Sequence, residues 1–310
     1  MKIVLLDTKT IGEDIDFSGF EALGEVIRYD YVPEEQMPEK IQDADVIVVN
    51  KLKVNEATIG SAERLKLVCV TATGTDNLDK EYLEKRGIAF RNVAGYSTNS
   101  VAQHTFAMLF YLWEKLPYYD AYVKTEQYCK DNTFSHFSNV FHELSGKTWG
   151  IIGLGTIGKK VAEIASAFGC RVVYYSASGK NHNTQYPQVT LDELLQQADV
   201  VSVHAPLNEY TKGLMNKEAF CKMKKTAIFL NLGRGPIVVE KDLADCLQEG
   251  IIAAAGLDVL SQEPMQKENP LLAQKDSQRL LITPHIAWAS KEARNRVVSM
   301  VCEQIKEFVL

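Results

Sequence analysis

Short aliphatic runs recur along the 310-residue chain, each followed by a longer polar stretch with apolar positions every three or four residues. Lys2-Ile-Val-Leu-Leu-Asp7, Val46-Ile-Val-Val-Asn50 and Leu67-Val-Cys-Val-Thr71 lack polar alternation, as strands buried on both faces of a parallel sheet do. The segments between them complete βαβ units. A second series follows at Thr148-Trp-Gly-Ile-Ile152, Arg171-Val-Val-Tyr-Tyr175, Val200-Val-Ser-Val203, Ala227-Ile-Phe-Leu-Asn231 and Leu281-Ile-Thr283, with helical patterns at Leu191–Gln197 and Lys241–Glu249. The pattern predicts an α/β chain with two doubly wound parallel sheets. Between the two series, the spacing predicts a long helix over Ser97–Lys115. Ser100-Val-Ala-Gln103 reads as its capping box, and Pro117 follows its end. Residues 117–146 are aromatic and polar without a period, which suits an irregular connection or an arm covering a partner subunit.

Composition narrows the class. Apolar residues make up 46% and charged residues 24%, the balance of a globular protein of about two domains. A net charge of −6 gives the chain as a whole no basic footprint for nucleic acid or an anionic membrane. No apolar run approaches the ~20 residues of a membrane span. The start, Met-Lys-Ile-Val-Leu-Leu-Asp, puts an acid where a signal peptide would still be apolar, so a cytoplasmic enzyme is the expectation. The two closest of six cysteines, Cys221 and Cys246, are 25 positions apart. No metal site and no structural disulfide are expected.

Gly153-Leu-Gly155-Thr-Ile-Gly158 follows an apolar strand and opens the helical run Lys159-Lys-Val-Ala-Glu-Ile-Ala. The first glycine permits the tight turn, the second lets a pyrophosphate approach, and the third lets helix and strand pack closely. The anion then rests on the free N–H groups of the helix N-terminus. In this context the loop predicts dinucleotide binding; a structural turn or a different nucleotide is the alternative. An NAD site usually has an acid at the end of the second strand to bind the ribose hydroxyls. Here the chain reads Tyr174-Tyr175-Ser176-Ala-Ser178-Gly-Lys180. Without a carboxylate a 2′-phosphate is not repelled, and Ser176, Ser178 and Lys180 are candidates to contact it. The cofactor is NAD or NADP, with a lean to NADP; the alternative is a solvated loop around a promiscuous NAD pocket.

Reducing a 2-keto acid needs a cation for the carboxylate and carbonyl, an acid for the new alkoxide, and a group that tunes that acid. Arg234 in Asn231-Leu-Gly-Arg-Gly-Pro236, Glu263 in Gln262-Glu-Pro264 and His285 in Thr283-Pro-His-Ile286 supply one of each at or beyond strand ends. A carboxylate beside an imidazole favours the charged ring. Each of the three also suits a surface ion pair or a helix cap.

With these residues stand Glu143-Leu-Ser-Gly-Lys-Thr148, Ala198-Asp-Val-Val-Ser-Val-His-Ala-Pro-Leu207, Gly256-Leu-Asp-Val259 and Thr283-Pro-His-Ile-Ala-Trp288, in that order over most of the chain. The sequence resembles the D-isomer-specific 2-hydroxyacid dehydrogenases. The resemblance implies that Arg234 holds the substrate carboxylate and polarises the keto oxygen. His285 would be proton donor in reduction and acceptor in oxidation, with Glu263 hydrogen-bonded to it. Asp258 would lie on the nicotinamide side, and Thr156 and Ile157 would present amides to the pyrophosphate. Ala205, Pro206, Leu232, Gly233 and Arg234 would line the dinucleotide. Thr73-Gly74-Thr75 matches the loop whose amides bind the substrate carboxylate, with Lys51 and Leu52 nearby. His104 and His204 read as structural.

The resemblance also implies a discontinuous flavodoxin-like substrate domain, 1–98 plus 286–310, into which a Rossmann cofactor domain, 99–285, is inserted. Closure of the cleft would exclude water and bring Thr73–Thr75 towards Arg234. A homodimer through the cofactor domain is implied too. Tyr96-Ser-Thr-Asn-Ser-Val-Ala-Gln-His-Thr-Phe106 and His285-Ile-Ala-Trp-Ala-Ser290 look most like the glycerate dehydrogenase, or hydroxypyruvate reductase, branch, with Trp288 as a pocket wall or an anchor for the final helix. The chain stops without the short tail many relatives carry. Hydroxypyruvate, D-glycerate or glyoxylate is the expected substrate. The alternatives are a bulkier 2-keto acid and a dinucleotide-sensing, corepressor-like module; a methyltransferase leaves Arg234 and the Asp258–Glu263 stretch unexplained.

Overall fold

The computed structural model describes residues 1–181, 183–276 and 278–309. The chain divides into two compact units, Met1–Ser97 with Trp288–Leu310, and Thr98–Ala287. The first unit holds strands β1 (Lys2–Leu5), β2 (Glu25–Arg28), β3 (Val46–Val49), β4 (Leu67–Val70) and β5 (Ala89–Asn92). They form one parallel sheet in the order β2-β1-β3-β4-β5. The central strands β3 and β4 are buried at every position, as their unbroken aliphatic runs require. The hydrophobic runs did not reveal β2 and β5. Both are edge strands with charged, exposed positions at Glu25, Arg28 and Arg91, the usual protection of an edge. The final helix, Lys291–Val309, lays Ala293, Val297, Val301 and Ile305 into the core of this unit.

The second unit holds β6 (Thr148–Ile152), β7 (Arg171–Tyr175), β8 (Val200–Val203), β9 (Ile228–Asn231), β10 (Ala254–Leu257) and β11 (Leu280–Ile282). All pair in parallel, in the order β11-β10-β9-β8-β6-β7. In each sheet the chain reverses direction beside its first strand, between β1 and β3 and between β6 and β8. That is the switch point at which open α/β sheets bind ligands. The expected fold class, two doubly wound parallel sheets, is the one observed. Trp149, in β6, is fully buried with its ring 4.8 Å from that of Phe106, and its Nε1–H donates to Ser202 Oγ at 2.9 Å. Truncating such a side chain to alanine costs about 3–5 kcal/mol.

Strand β10 reads Ala-Ala-Gly-Leu, too poor in β-branched residues to announce itself. Its small residues have a packing cause. A Cβ at Gly256 would stand 2.8 Å from Leu230 Cδ2 and 3.3 Å from Met108 Cε, so the Thr98–Trp113 helix closes directly onto this strand. That helix begins at Thr98, which places Ser100 inside it rather than at its cap. The Ser100 hydroxyl instead donates to the Ala287 carbonyl at 2.6 Å. The aromatic segment after it is more regular than its composition suggests. Pro117 opens a second helix, Leu116–Lys124, where a missing N–H costs nothing. His136 then stacks on Tyr122 at 3.8 Å and hydrogen-bonds Tyr118 Oη at 2.7 Å. No helix of the described residues is long and apolar enough to cross a membrane, and the six cysteines are free thiols.

Candidate active site

The carboxyl ends of the second sheet lie in one row. Tyr175 pairs with Ile152, Ile152 with Val203, Val203 with Asn231, Asn231 with Leu257, and Leu257 with Ile282. The loops leaving these six positions therefore start side by side. They carry Ser176, the glycine loop, Ala205-Pro206, Arg234, Asp258 with Glu263, and His285.

Close backbone approach locks the loops together. Gly153 adopts φ +93°, and a Cβ there would meet Ala205 at 2.8 Å. A Cβ at Gly233 would lie 2.8 Å from the Ala205 carbonyl oxygen. At Gly235 it would collide with the Leu260 carbonyl at 1.9 Å, so the arginine loop rests on the glutamate loop. Asn231 shapes the turn between. Its Oδ1 accepts from Gly233 N–H at 3.1 Å, and its Nδ2 donates to the Arg234 carbonyl at 3.0 Å. The Arg234 guanidinium itself donates through Nη1 to Gly233 O at 2.9 Å.

Glu263 uses both carboxylate oxygens. Oε1 accepts from Leu260 N–H at 2.8 Å, and Oε2 stands 2.7 Å from His285 Nδ1. The carboxylate can only accept here, so Nδ1 carries a proton and Nε2 is the ring atom left for exchange. His285 sits at φ +54°, a left-handed conformation costing a non-glycine residue about 1–2 kcal/mol. Its N–H donates to the Asp258 carbonyl at 2.8 Å. The Asp258 carboxylate, buried, takes Thr283 Oγ–H at 2.6 Å and the N–H groups of Ile286 and Ala287, each at 2.9 Å. Four hydrogen bonds to Asp258 thus hold the strained loop. Arg234, Glu263 and His285 rise from the adjacent loops after β9, β10 and β11.

Residues 106–287 match the family model described as D-isomer specific 2-hydroxyacid dehydrogenase, NAD binding domain. The chain belongs to that family. A hydroxypyruvate reductase of Blautia hydrogenotrophica is 39% identical over all of this chain and 97% of its own. A glycerate dehydrogenase of Methylorubrum extorquens is 33% identical over 99% of this chain and 96% of its own. A D-lactate dehydrogenase from Aquifex aeolicus, solved with NAD and lactic acid, superposes with a TM-score of 0.86 at 29% identity. That match covers 100% of this chain and 95% of the other.

The glycine loop of this dehydrogenase fits the dinucleotide its family binds. Gly155 is the N-cap residue of the Thr156–Ala167 helix and offers no side-chain cap, and the space where its Cβ would lie is open. The N-terminal N–H groups, Thr156 and Ile157 among them, have no partner within the helix. Gly158 packs so tightly that a Cβ would come within 2.3 Å of the Gly153 carbonyl oxygen. After β7, Ser176 Oγ accepts from Asn181 N–H at 3.3 Å, and Ser178 Oγ from Lys180 N–H at 3.3 Å. Asn181 was not singled out from the sequence; its Nδ2 donates to the Leu154 carbonyl at 2.5 Å, tying this segment to the glycine loop.

In the first unit, the Asn50–Leu52 turn is held by a residue that sequence reasoning passed over. Buried Asp7, at the end of β1, accepts from the N–H of Asn50 and of Lys51, both at 2.8 Å. Burial pushes its carboxyl pKa above the ordinary range, against those amides, which pull it down. Leu52 packs its side chain in the core, leaving only its backbone for a ligand. Thr73 Oγ–H donates to the Val93 carbonyl at 2.8 Å, and Asn92 Nδ2 to the Thr73 carbonyl at 2.7 Å. Trp288, half-buried, packs edge-on against Tyr96 at 6.2 Å at the margin of the core. His204 is half-buried, with its Nδ1 buried and without a hydrogen-bond partner and its Nε2 3.1 Å from Ser202 Oγ, and desolvation of the ring pushes its pKa down to about 3. His104 touches Thr283 and Asp258.

Proposed function

We propose that the protein reduces small 2-keto acids, hydroxypyruvate or glyoxylate, to D-glycerate or glycolate. The absence of an acid after β7 favours NADPH over NADH. The observation that carries the reading is the Glu263–His285 pair, held at 2.7 Å on the sheet edge that also bears the glycine loop. The similarity to the hydroxypyruvate reductase and the glycerate dehydrogenase supports the substrate class.

When bound, the nicotinamide dinucleotide supplies the hydride that reduces the keto carbon. The chain's own residues do the rest. Arg234 holds the substrate carboxylate and polarises the keto oxygen, favouring the developing alkoxide. His285 gives that oxygen a proton from Nε2 and returns to the neutral ring. Nδ1 keeps its proton throughout and donates it to Glu263, which keeps the ring in the orientation that exposes Nε2. Gly153, Gly155, Thr156, Ile157 and Gly158 receive the pyrophosphate, and the backbone of Ala205, Pro206, Leu232 and Gly233 lines the dinucleotide. Ser176, Ser178 and Lys180 receive a 2′-phosphate. Asp258 holds the proton-donor loop on the nicotinamide side. In the first unit, the reading assigns the amides of Thr73, Gly74 and Thr75 to a carboxylate, with Lys51, Leu52 and Trp288 near the substrate. A homodimer through the second unit accords with exposed Phe134, Phe137, Val140 and Phe141. Six free thiols accord with a cytoplasmic location.

The test is the initial rate of NADH and, separately, NADPH oxidation with hydroxypyruvate, glyoxylate, pyruvate and phenylpyruvate. Fastest turnover of hydroxypyruvate or glyoxylate supports the assignment. Turnover confined to phenylpyruvate points to a bulkier substrate. Tight dinucleotide binding with no turnover of any of the four favours a sensing role.

A further inference from the structure

The Thr98–Trp113 helix lays one stripe of residues along the loop that carries His285. Met108 and Leu112 sit against Gly256, where an added Cβ would come within 3.3 and 3.5 Å of them. One helical turn earlier is His104, a shift of about 6 Å. Two residues further along β10, a similar step of about 6.6 Å, is Asp258. The register therefore brings His104 to the end of the strand. Its Nε2 lies 3.1 Å from Thr283 Oγ1 and 3.7 Å from Asp258 Oδ1. A further turn back, Ser100 Oγ–H donates to the Ala287 carbonyl at 2.6 Å.

The donor order in this chain is determined. Thr283 has one hydroxyl proton and gives it to Asp258 Oδ1 at 2.6 Å. Its oxygen can only accept from His104, so His104 carries its proton on Nε2. Asp258 then accepts from the N–H groups of Ile286 and Ala287, the two residues directly after His285, the left-handed residue of the turn.

We propose that His104 is a positioning residue for the proton donor. Through Thr283 and Asp258 it holds the 283–287 turn in the conformation that presents His285. The proposal rests on the reading of His285 as the proton donor in 2-keto-acid reduction.

The test uses the full chain with hydroxypyruvate and saturating dinucleotide. His104→Leu removes the donor, and the expected result is a fall in kcat of about 10-fold or more, with the dinucleotide Kd within about twofold. His104→Gln restores an N–H near the Nε2 position and recovers most of the lost rate. Thr283→Val breaks the same chain one link on. The double variant His104→Leu/Thr283→Val is then no slower than Thr283→Val alone, because both changes cut one path. A merely structural histidine predicts additive losses and no rescue by glutamine. Unchanged kcat in His104→Leu, no rescue by glutamine, or additive losses in the double variant each overturn the proposal. His285→Asn separates the two readings. Loss of turnover there with normal turnover in His104→Leu removes only the positioning role, whereas normal turnover in His285→Asn removes the proton donor itself.

Discussion

Replacing Glu263 by glutamine tests the proposed role of the Glu263–His285 pair with almost no change of shape. The carboxylate accepts from Leu260 N–H at 2.8 Å and from His285 Nδ1–H at 2.7 Å. A glutamine has one acceptor oxygen and one donor NH2. However the amide is turned, an N–H faces an N–H, at Leu260 or at His285. A hydrogen bond to a charged group contributes about 1.5–3 kcal/mol. The His285 and Glu263 side chains are 24% and 37% exposed, so solvent screening holds the loss to the lower half, about 1.5–2 kcal/mol. If the bond is realised mainly in the transition state, that corresponds to a fall in kcat of roughly 10- to 30-fold. The assay is steady-state reduction of hydroxypyruvate, with dinucleotide Kd measured separately by fluorescence. A Kd within about twofold is expected, since Glu263 stands outside the glycine loop. Glu263→Gln turning over within about twofold of the unaltered enzyme would refute the reasoning and leave the pair an ordinary surface contact.

Gly155→Ala keeps its fold, because the added methyl meets nothing, but it fills the cradle; an unchanged melting temperature with a dinucleotide Kd raised about 10-fold or more is expected. Ser176→Asp places a charge where a 2′-phosphate would sit, so the NADPH-to-NADH ratio of kcat/KM should fall at least about 10-fold; an unmoved ratio removes Ser176 from the 2′ site. For His204 the folded pKa of about 3 lies below the ordinary 6.5, so the unfolded chain binds the extra proton first. Its contribution to stability is complete above pH 6.5 and is lost as pH falls towards 3. Thermal melts from pH 7 to pH 5 should therefore drop less steeply in His204→Leu than in the unaltered protein, and parallel slopes would contradict this account.

Much of the site was legible because its residues follow strand ends that the aliphatic runs already mark. Gly153–Gly158 lies directly after β6, and Arg234 and His285 fall three positions after the ends of β9 and β11. Asp258 reads from the sequence as a cofactor-side residue; its carboxylate is occupied by Thr283, Ile286 and Ala287, which no local pattern signals. Asp7 escaped notice for a similar reason. An acid after an aliphatic run reads as a strand end, and only the fold shows it gathering the amides of Asn50 and Lys51 from 43 and 44 positions away. Ser100 was misread because S-x-x-Q is a local signal; its hydroxyl answers to a carbonyl 187 positions on.

The order of buried strands, the dinucleotide loop and the groups proposed for keto-acid reduction are written in the sequence by itself. Strand burial and phosphate cradling depend on neighbours within a few residues, so local pattern suffices for them. Tertiary structure alone decided that β10 is a strand at all, which end of Glu263 faces His285, and which ring nitrogen of His104 carries the proton. Those depend on contacts between segments distant along the chain. Helix-to-strand packing at Gly256 and the in-register strand ends create them, and no local propensity encodes such distances.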